Sequence, residues 1–360
     1  MHSDDLLGLI RADVRARQGY HVADAAGLLK LDAMENPFPL PEALREELGR
    51  RLADAAYNRY PDANPRALKQ RIAAYMGIPA GIDLLLGNGS DEVIQILAQA
   101  VAQPGASLLS VEPAFVMFRL LAEACGLGYT GVSLQADFSL DLPAMLEAIE
   151  RTRPALIFLA MPNNPTGNLF PAAAVSAILA ASPGLVVVDE AYYPFTDSSY
   201  LSWLPRHPNL LVMRTLSKLG LAGIRLGFLA GAPALLAQFE KLRLPYNLSV
   251  ATQVIADTVL AAPITLQTQV DLLRTERARL ANALAALSGV QVFPSEANFV
   301  LVRVAQAQSV FDGLKQHGIL IKNLNSAHDL LRGCLRITVG APQENDRLIA
   351  ALGAVLATLA

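Results

Sequence analysis

Between residues 82 and 218, short apolar segments alternate with longer amphipathic ones, and this alternation constrains the fold more than any other feature of the sequence. The apolar segments have the length of strands, and the segments between them have the spacing of helices. Such alternation is typical of a mainly parallel sheet that helices cover on both faces, so we predict an α/β fold. The predicted strands occupy residues 107–111, 129–134, 155–160, 185–188 and 210–213, and helices are predicted at residues 142–151 and 171–180.

Polar residues follow the carboxyl ends of these apolar segments. A glycine-rich turn with Ser90 and Asp91 follows the first segment, Asn164 follows the segment that ends at residue 160, and Asp189 and Tyr192 follow the next. In parallel sheets, ligands bind beyond the carboxyl ends of the strands. The sequence therefore predicts that these side chains meet in one ligand site.

The segment from residue 210 to residue 228 carries the most reactive of the candidate groups. An apolar strand leads into Thr215, Ser217 and Lys218, and Arg225 follows after two glycines. The Lys218 amine suits a Schiff base with an aldehyde cofactor, while Ser217 and Arg225 suit a phosphate on the same molecule. A surface lysine and a surface arginine on an ordinary turn are the alternative, which stays open for this segment alone.

Other residues at the strand ends fit a pyridine ring held by Lys218. A buried carboxylate at Asp189 would keep the ring nitrogen protonated, as an electron sink requires. Asn164 and Tyr192 could bond the ring hydroxyl, and Phe115 could stack on the ring face. Each has an alternative, because Asp189 could cap a helix or pair with an arginine, and Phe115 could belong to the core.

Two further features suit anions. The glycine-rich turn opens a helix, whose N-terminus suits a phosphate, although Ser90 and Asp91 also suit a plain N-cap. Arg336 lies in an apolar strand, and a buried arginine needs an anion, either a protein carboxylate or an anionic group of a substrate. Lys322 could contact the same group.

Composition limits the classes of partner. The net charge of −3 argues against nucleic acid, and no apolar run reaches the length of a membrane span. Cys125 and Cys334 have no metal-binding spacing, and the histidines include no His-x-x-x-His pair. We therefore expect a cytoplasmic protein with no metal site, no bound nucleic acid and no membrane segment.

The last part of the chain has a looser order of strands and helices, which indicates a smaller α+β domain. We divide the chain into residues 1–43, an N-terminal arm with part of the small domain, residues 44–250, a large domain, and residues 251–360, the small C-terminal domain. A long helix is predicted at residues 265–287. Its charged residues predict a solvated face, and they are Arg274, Glu276, Arg277 and Arg279.

Several motifs together resemble the fold-type I aminotransferases, which use pyridoxal 5′-phosphate, and within them the family of histidinol-phosphate aminotransferases. The resemblance runs from about residue 20 to the C-terminus with similar spacing. It implies a large domain around a seven-stranded, mainly parallel sheet and a smaller α+β domain. The motifs are RYP at residues 59–61, GNGSDE at 87–92, PNNPTG at 162–167, DEAY at 189–192, RTLSK at 214–218 and CLRITVG at 334–340.

The resemblance also implies a role for each candidate residue. Lys218 would bind the cofactor and move the proton, Asp189 would face the ring nitrogen, and Phe115 would stack on the ring. Tyr60 would reach the cofactor phosphate of the partner subunit, which implies a homodimer. Asn164 and Tyr192 would bond the ring oxygen. The phosphate would be held by Ser90, Asp91, Thr215, Ser217 and Arg225, and the substrate by Tyr20, Asn164, Lys322 and Arg336.

The activity implied is transfer of an amino group between L-histidinol phosphate or 2-oxoglutarate and imidazole-acetol phosphate or L-glutamate, a step of histidine biosynthesis. An aromatic-amino-acid aminotransferase and a phosphothreonine decarboxylase on the same scaffold are the alternatives. Two departures from the family's pattern concern the substrate. Met34 stands where relatives carry an amide, and Lys322 stands where many carry arginine, which replaces a bidentate clamp by a point charge.

Overall fold

A computed structural model describes residues 6–17, 19 and 22–359, and these residues form two sheets surrounded by helices. The strands of the larger sheet are β2 (Asp83–Gly87), β3 (Ser107–Glu112), β4 (Gly128–Ser133), β5 (Leu156–Ala160), β6 (Leu185–Asp189), β7 (Leu210–Thr215) and β8 (Gly227–Gly231). Their order is β2-β8-β7-β6-β5-β3-β4. The five strands from β7 to β4 are parallel, and β8 is antiparallel to both of its neighbours. The predicted seven-stranded, mainly parallel sheet is confirmed.

Helices follow most strands of this sheet and pack against its two faces. The helices in the described residues are α1 (Ala12–Arg15), α2 (Glu42–Ala53), α3 (Arg66–Met76), α4 (Gly89–Val101), α5 (Met117–Ala124), α6 (Leu142–Thr152), α7 (Ala172–Ala181), α8 (Pro233–Phe239), α9 (Val250–Leu260), α10 (Pro263–Ala285), α11 (Ala307–Gln316) and α12 (Pro342–Leu359). Short 3₁₀ helices occupy Tyr193–Phe195, Leu201–Arg206, Ser217–Leu219, Ala222–Ile224 and Asp329–Leu331.

The central strands of the large sheet are buried on both faces. Along β6, Val186 and Val188 pack into one apolar cluster and Val187 packs into a second. β7 repeats the pattern, with Val212 in the first cluster and Leu211 in the second. Successive side chains of a strand point to opposite faces, so a strand with two covered faces needs an unbroken apolar run. This requirement explains why the strands are visible in the sequence as short apolar segments.

The smaller sheet brings the two ends of the chain together. Its strands are β1 (Leu29–Leu31), β9 (Gln291–Val292), β10 (Phe299–Arg303), β11 (Ile319–Asn323) and β12 (Cys334–Thr338), in the order β1-β11-β12-β10-β9. β1 pairs in parallel with β11, while the other neighbours are antiparallel. The segment before residue 43 thus shares a sheet with the C-terminal region. The domain boundaries after residues 43 and 250 stay a prediction.

The solvated face predicted for the long helix, observed as α10, is wrong for two of its residues. Glu276 is buried and accepts hydrogen bonds from Asn345 Nδ2 at 2.9 Å and from the guanidinium of Arg279. Arg277 is half-buried and donates to the carbonyls of Phe195 and Ala297, both at 3.0 Å. These charged groups are buried because polar partners from distant parts of the chain satisfy them.

Within the described residues, no single helix combines the length and the apolar character of a membrane span. In the part of the chain that the structure describes, α9 and α10 meet that criterion when taken together, and the chain bends by 80° between them.

Candidate active site

A cavity of about 400 Å³ lies beyond the carboxyl ends of the parallel strands, a volume in the usual range for small-ligand sites. The loops after β2, β3, β5, β6 and β7 all contribute to its wall, as the order of strands and polar residues predicts. Residues 33–35 of the N-terminal segment complete the wall. The predicted site residues that line the cavity are Ser90, Asp91, Phe115, Asn164, Asp189, Tyr192, Thr215, Ser217, Lys218 and Arg225.

A larger cavity, of about 650 Å³, lies between α3 and the junction of α9 with α10. None of the predicted site residues lines it. Its arginine, Arg71, already forms an ion pair with Asp257 at 2.5 Å. The smaller cavity, which the predicted site residues line, is therefore the candidate active site.

The Lys218 amine projects into the smaller cavity from the 3₁₀ turn that follows β7. Its Nζ donates a hydrogen bond to the carbonyl oxygen of Ala33 at 3.1 Å. Burial, together with the positive charge of Arg336, lowers the pKa of Lys218 to about 8. A lowered pKa raises the fraction of neutral amine near pH 7, and the neutral amine is the nucleophile.

Asp189 ends β6 at the floor of the cavity and is 4% exposed. Its carboxylate accepts the backbone N–H of Ala191 at 3.0 Å. Burial raises the pKa of Asp189 to about 7, and the charge of Lys218 only partly opposes this shift. A buried carboxylate of this kind is stabilised by a cationic N–H donor, which is what a protonated ring nitrogen offers.

Asn164 lines the cavity, whereas Arg336 does not line it and instead contacts Asn164. Both are buried, and the Asn164 Oδ1 accepts a hydrogen bond from Arg336 Nη1 at 2.5 Å. Arg336 Nη2 also donates to the carbonyl oxygen of Asp32 at 2.9 Å. Both of these acceptors are neutral oxygens, and a buried guanidinium next to a residue of the cavity wall suits an anionic group.

Two aromatic side chains, Tyr192 and Phe115, line the same cavity as Asp189. Tyr192 is buried and packs edge-on against Phe299, with ring centroids 5.2 Å apart. The Lys218 Nζ lies 5.7 Å from the centroid of the Tyr192 ring. Phe115 is half-buried and packs edge-on against Phe118, so part of its ring remains available to the cavity.

Another part of the cavity wall consists of hydroxyl groups, a guanidinium and the N-terminus of α4. Thr215 Oγ1 donates to Ser217 Oγ at 2.9 Å and accepts the Ser217 backbone N–H at 3.1 Å. Arg225 Nη2 contacts the Asp91 carboxylate at 3.3 Å. A side chain at Gly89, which has φ of 81°, would come within 2.5 Å of this guanidinium. Hydroxyls, a guanidinium and free N–H groups at the start of α4 form a site for a phosphate.

The alternative of a plain N-cap at Ser90 or Asp91 is wrong. α4 begins at Gly89, so both residues lie in its first turn. The Glu92 carboxylate instead accepts the backbone N–H of Asn88 at 2.5 Å and a bond from Asn247 Nδ2 at 2.7 Å. Ser90 and Asp91 are thereby left facing the cavity.

Gly227 of β8 allows the start of α4 to approach the sheet. A Cβ at this position would lie 2.6 Å from the backbone nitrogen of Ser90 and 2.7 Å from the carbonyl carbon of Gly89. We expect Gly227→Ala to lower the free energy of unfolding by about 1–3 kcal/mol, because backbone atoms must move apart, and to weaken anion binding at this end. Urea unfolding and phosphate binding measure the two effects.

Gly353→Ala is the control for this substitution. Gly353 lies in α12, and its added Cβ would meet Leu287, in the chain just beyond α10, at 3.7 Å, an ordinary van der Waals contact. Stability should stay the same or rise by up to about 1 kcal/mol, because alanine favours a helix. Equal effects of the two substitutions would contradict the close approach at Gly227.

Residues 32–36 run along the cavity, and residues 33–35 line it; of these, the sequence connects only Met34 with the substrate. The carbonyls of Asp32 and Ala33 accept bonds from Arg336 and Lys218. Asn36 Nδ2 donates to the Leu219 carbonyl at 3.3 Å. We name residues 32–36 the strap. These backbone carbonyl contacts could not be predicted from the local sequence, because every residue has a backbone carbonyl.

Three predicted residues lie elsewhere. Tyr60 is 81% exposed and stacks on Tyr246 of the same chain, with ring centroids 4.4 Å apart. Lys322 is half-buried and lies opposite Arg336 in the pairing of β11 with β12. Tyr20 lies outside the described residues.

A family model described as aminotransferase class I and II matches residues 26–352. The chain belongs to this family. It is 52% identical over 359 residues to histidinol-phosphate aminotransferase 1 of Ralstonia nicotianae, covering 98% of this chain and 96% of the relative. It is 54% identical over 345 residues to histidinol-phosphate aminotransferase 1 of Burkholderia mallei, covering 96% and 97%. These matches confirm the predicted aminotransferase class.

Among solved structures, the aminotransferase fold found here is similar to that of histidinol-phosphate aminotransferase from Sinorhizobium meliloti in complex with pyridoxal 5′-phosphate. The TM-score is 0.88 at 28% identity, with 98% of each chain covered. The fold is therefore fold type I, and the predicted cofactor class, pyridoxal 5′-phosphate, is confirmed.

The cavity of this aminotransferase fits that cofactor. The Lys218 amine suits its aldehyde, the buried Asp189 suits its ring nitrogen, and the start of α4 with Arg225 suits its phosphate. The burial of Asp189 is the observation that tests the fit, because a carboxylate that is 4% exposed in the cavity wall would be stabilised by a cationic ring N–H.

Proposed function

We propose that this aminotransferase interconverts L-histidinol phosphate and 2-oxoglutarate with imidazole-acetol phosphate and L-glutamate in histidine biosynthesis. The observation that carries the proposal is the identity above 50% with enzymes of that name over nearly the whole chain. The buried Arg336 beside Asn164 supports it, because both proposed amino donors present an anionic group. One guanidinium would bind the glutamate carboxylate and the histidinol phosphate ester in turn.

The proposed chemistry assigns a role to each side chain of the cavity. Pyridoxal 5′-phosphate supplies an electron sink that stabilises negative charge at the carbon losing its proton. Lys218 Nζ would take the α-proton of the amino donor as a general base and would deliver it, as a general acid, to the cofactor carbon on the other side of the donor nitrogen. The Asp189 carboxylate would keep a proton on the ring nitrogen, and Asn164 and Tyr192 would donate hydrogen bonds to the ring oxygen.

The remaining contacts of the cavity would hold rather than react. Phe115 would stack on the ring face. The phosphate would contact the first turn of α4, the hydroxyls of Thr215 and Ser217, and the guanidinium of Arg225. These residues are Ser90, Asp91, Thr215, Ser217 and Arg225.

We further propose that the enzyme is a homodimer in which Tyr60 reaches the cofactor phosphate of the partner subunit. Large apolar side chains close in sequence to Tyr60 and its stacking partner are also exposed, Tyr57 by 61% and Leu244 by 70%. Exposed apolar surface of this kind is typical of protein interfaces. The stacking of Tyr60 on Tyr246 holds the ring outward, where a partner subunit would meet it.

Lys322 and Tyr20 complete the proposed substrate site. Lys322 lies opposite Arg336 on the neighbouring strand, which would place a second positive charge beside the same anion. Tyr20 is assigned by the sequence resemblance. We also propose a cytoplasmic location, in keeping with the free thiols of Cys125 and Cys334.

A comparison of amino donors tests the substrate. With 2-oxoglutarate as acceptor, we expect kcat/KM for L-histidinol phosphate to exceed that for L-phenylalanine by roughly 100-fold, because its phosphate offers Arg336 and Lys322 more negative charge and more acceptor oxygens than the single carboxylate of phenylalanine. A reversed preference would assign the enzyme to the aromatic amino acids. Carbon dioxide released from O-phospho-L-threonine would assign it to decarboxylation.

A further inference from the structure

Met34, in the middle of the strap, has an unusual backbone conformation. Its φ is 52°, in the left-handed region that favours glycine and asparagine over methionine. The conformation is fixed from both sides, because the Met34 N–H donates to Thr338 Oγ1 and the Met34 carbonyl accepts from Asn298 Nδ2, each at 3.0 Å. The small sheet and the segment beside it therefore hold Met34 against its intrinsic preference.

This strain occurs at the cavity. Arg225 is the other non-glycine residue in the described part of the chain that both has a left-handed backbone and lines the cavity. Two buried core methionines, Met145 in α6 and Met213 in β7, have regular backbone and line no part of it. Backbone strain that clusters at a cavity points to a functional reason for the conformation.

The neighbours of Met34 define what its side chain faces. The carbonyl of Asp32 is bonded to Arg336, and the carbonyl of Ala33 is bonded to the Lys218 amine. Met34 follows directly, is 8% exposed and lines the same cavity. Consider an amino donor whose anionic group lies at Arg336 and whose amine lies at Lys218. Its third substituent, the side chain on the α-carbon, would then lie next to the strap.

We propose that Met34 is a specificity-determining residue whose thioether forms the wall against which the ring of the amino donor packs. A polarizable thioether makes favourable contacts with aromatic rings, the imidazole of histidinol phosphate included. Glutamate has no ring and gains nothing from this wall. The imidazole ring is the ligand only if the proposed function holds, whereas the wall itself requires only a ring-bearing donor.

Binding of unreactive ligands to the cofactor-loaded enzyme tests the inference without turnover. The ligands are 3-(imidazol-4-yl)propyl phosphate, which lacks the donor's amine, and glutarate, which lacks that of glutamate. Met34→Asn removes the thioether and keeps a residue that tolerates the left-handed backbone. In calorimetry, we expect Kd for the imidazole ligand to rise roughly threefold to tenfold and Kd for glutarate to change less than about twofold.

The variant Met34→Leu distinguishes the effect of the sulfur atom from the effect of an apolar side chain of similar size. It retains an apolar wall, so its loss of affinity for the imidazole ligand should be smaller than that of Met34→Asn. The ratio of kcat/KM for histidinol phosphate to that for glutamate should fall in the same order as the affinities. Thermal unfolding of each variant verifies that the protein is folded.

Equal loss of affinity for both ligands in Met34→Asn, or no loss for either, would overturn the inference. A residue with a purely structural role would change the affinities for both ligands by the same factor. Failure of the proposed function has a different signature. If the wild-type enzyme does not use histidinol phosphate, 3-phenylpropionate replaces the imidazole ligand in the same comparison. Selective loss of its affinity in Met34→Asn would then support the wall, and unselective loss would reject it.

Discussion

Lys218→Ala is expected to lower the rate of amino transfer by about 10⁴-fold or more, while the protein remains folded. General acid–base catalysis contributes up to roughly that factor, and the same side chain also anchors the cofactor. In the structure, Lys218 Nζ lies in the cavity beside Tyr192 and is bonded to the strap carbonyl of Ala33. Stopped-flow measurement of the first half-reaction with histidinol phosphate gives the rate directly.

The matched control is Lys315→Ala, which removes an exposed lysine from α11. Its rate should stay within about twofold of the wild type, since surface substitutions seldom affect a remote site. Circular dichroism and thermal unfolding establish that both variants are folded. A half-reaction rate in Lys218→Ala within tenfold of the wild type would exclude the proposed role of Lys218.

Glu190→Gln is expected to lower the free energy of unfolding by about 3–5 kcal/mol, because it leaves a buried arginine without its counter-charge. Glu190 is 1% and Arg214 4% exposed, and Arg214 Nε and Nη2 contact the same Glu190 oxygen at 2.9 and 2.7 Å. The Arg214 guanidinium also lies 3.9 Å from the centroid of the Tyr193 ring. Urea unfolding measures the loss.

A second pair and a double substitution control this experiment. Glu47 and Arg50 form an exposed ion pair on α2, so Glu47→Gln should cost less than about 1 kcal/mol. Adding Arg214→Met to Glu190→Gln removes the unpaired charge and should recover most of the lost stability. Equal effects of Glu190→Gln and Glu47→Gln would show that burial does not strengthen the pair.

The sequence predicts the parallel sheet and the convergence at its edge because both depend on local patterns. Apolar strands are visible as runs, and Asn164, Asp189 and Lys218 each follow a strand directly. The antiparallel β8 and the helix α9 were not predicted, since neither has a pattern distinct from its surroundings. Strand direction in particular depends on the path of the chain between strands.

Contacts between distant segments are the part that could not be predicted. The strap reaches Lys218 across 185 positions and Arg336 across 304, and no short-range signal encodes either approach. The same cause explains the wrong prediction for Glu276, whose partner Asn345 lies 69 positions along the chain. The sequence shows that a charged side chain needs hydrogen-bond partners. Only the fold shows whether those partners are water molecules or other residues of the chain.

Borohydride reduction of the cofactor-loaded enzyme, followed by peptide mapping, tests most directly whether Lys218 holds the cofactor. The hydride converts a carbon–nitrogen double bond between cofactor and lysine into a stable single bond, so the label marks the lysine concerned. We predict one pyridoxyl group per chain, on the peptide that contains Lys218. A label on any other lysine, or no label at all, would contradict the account of the site.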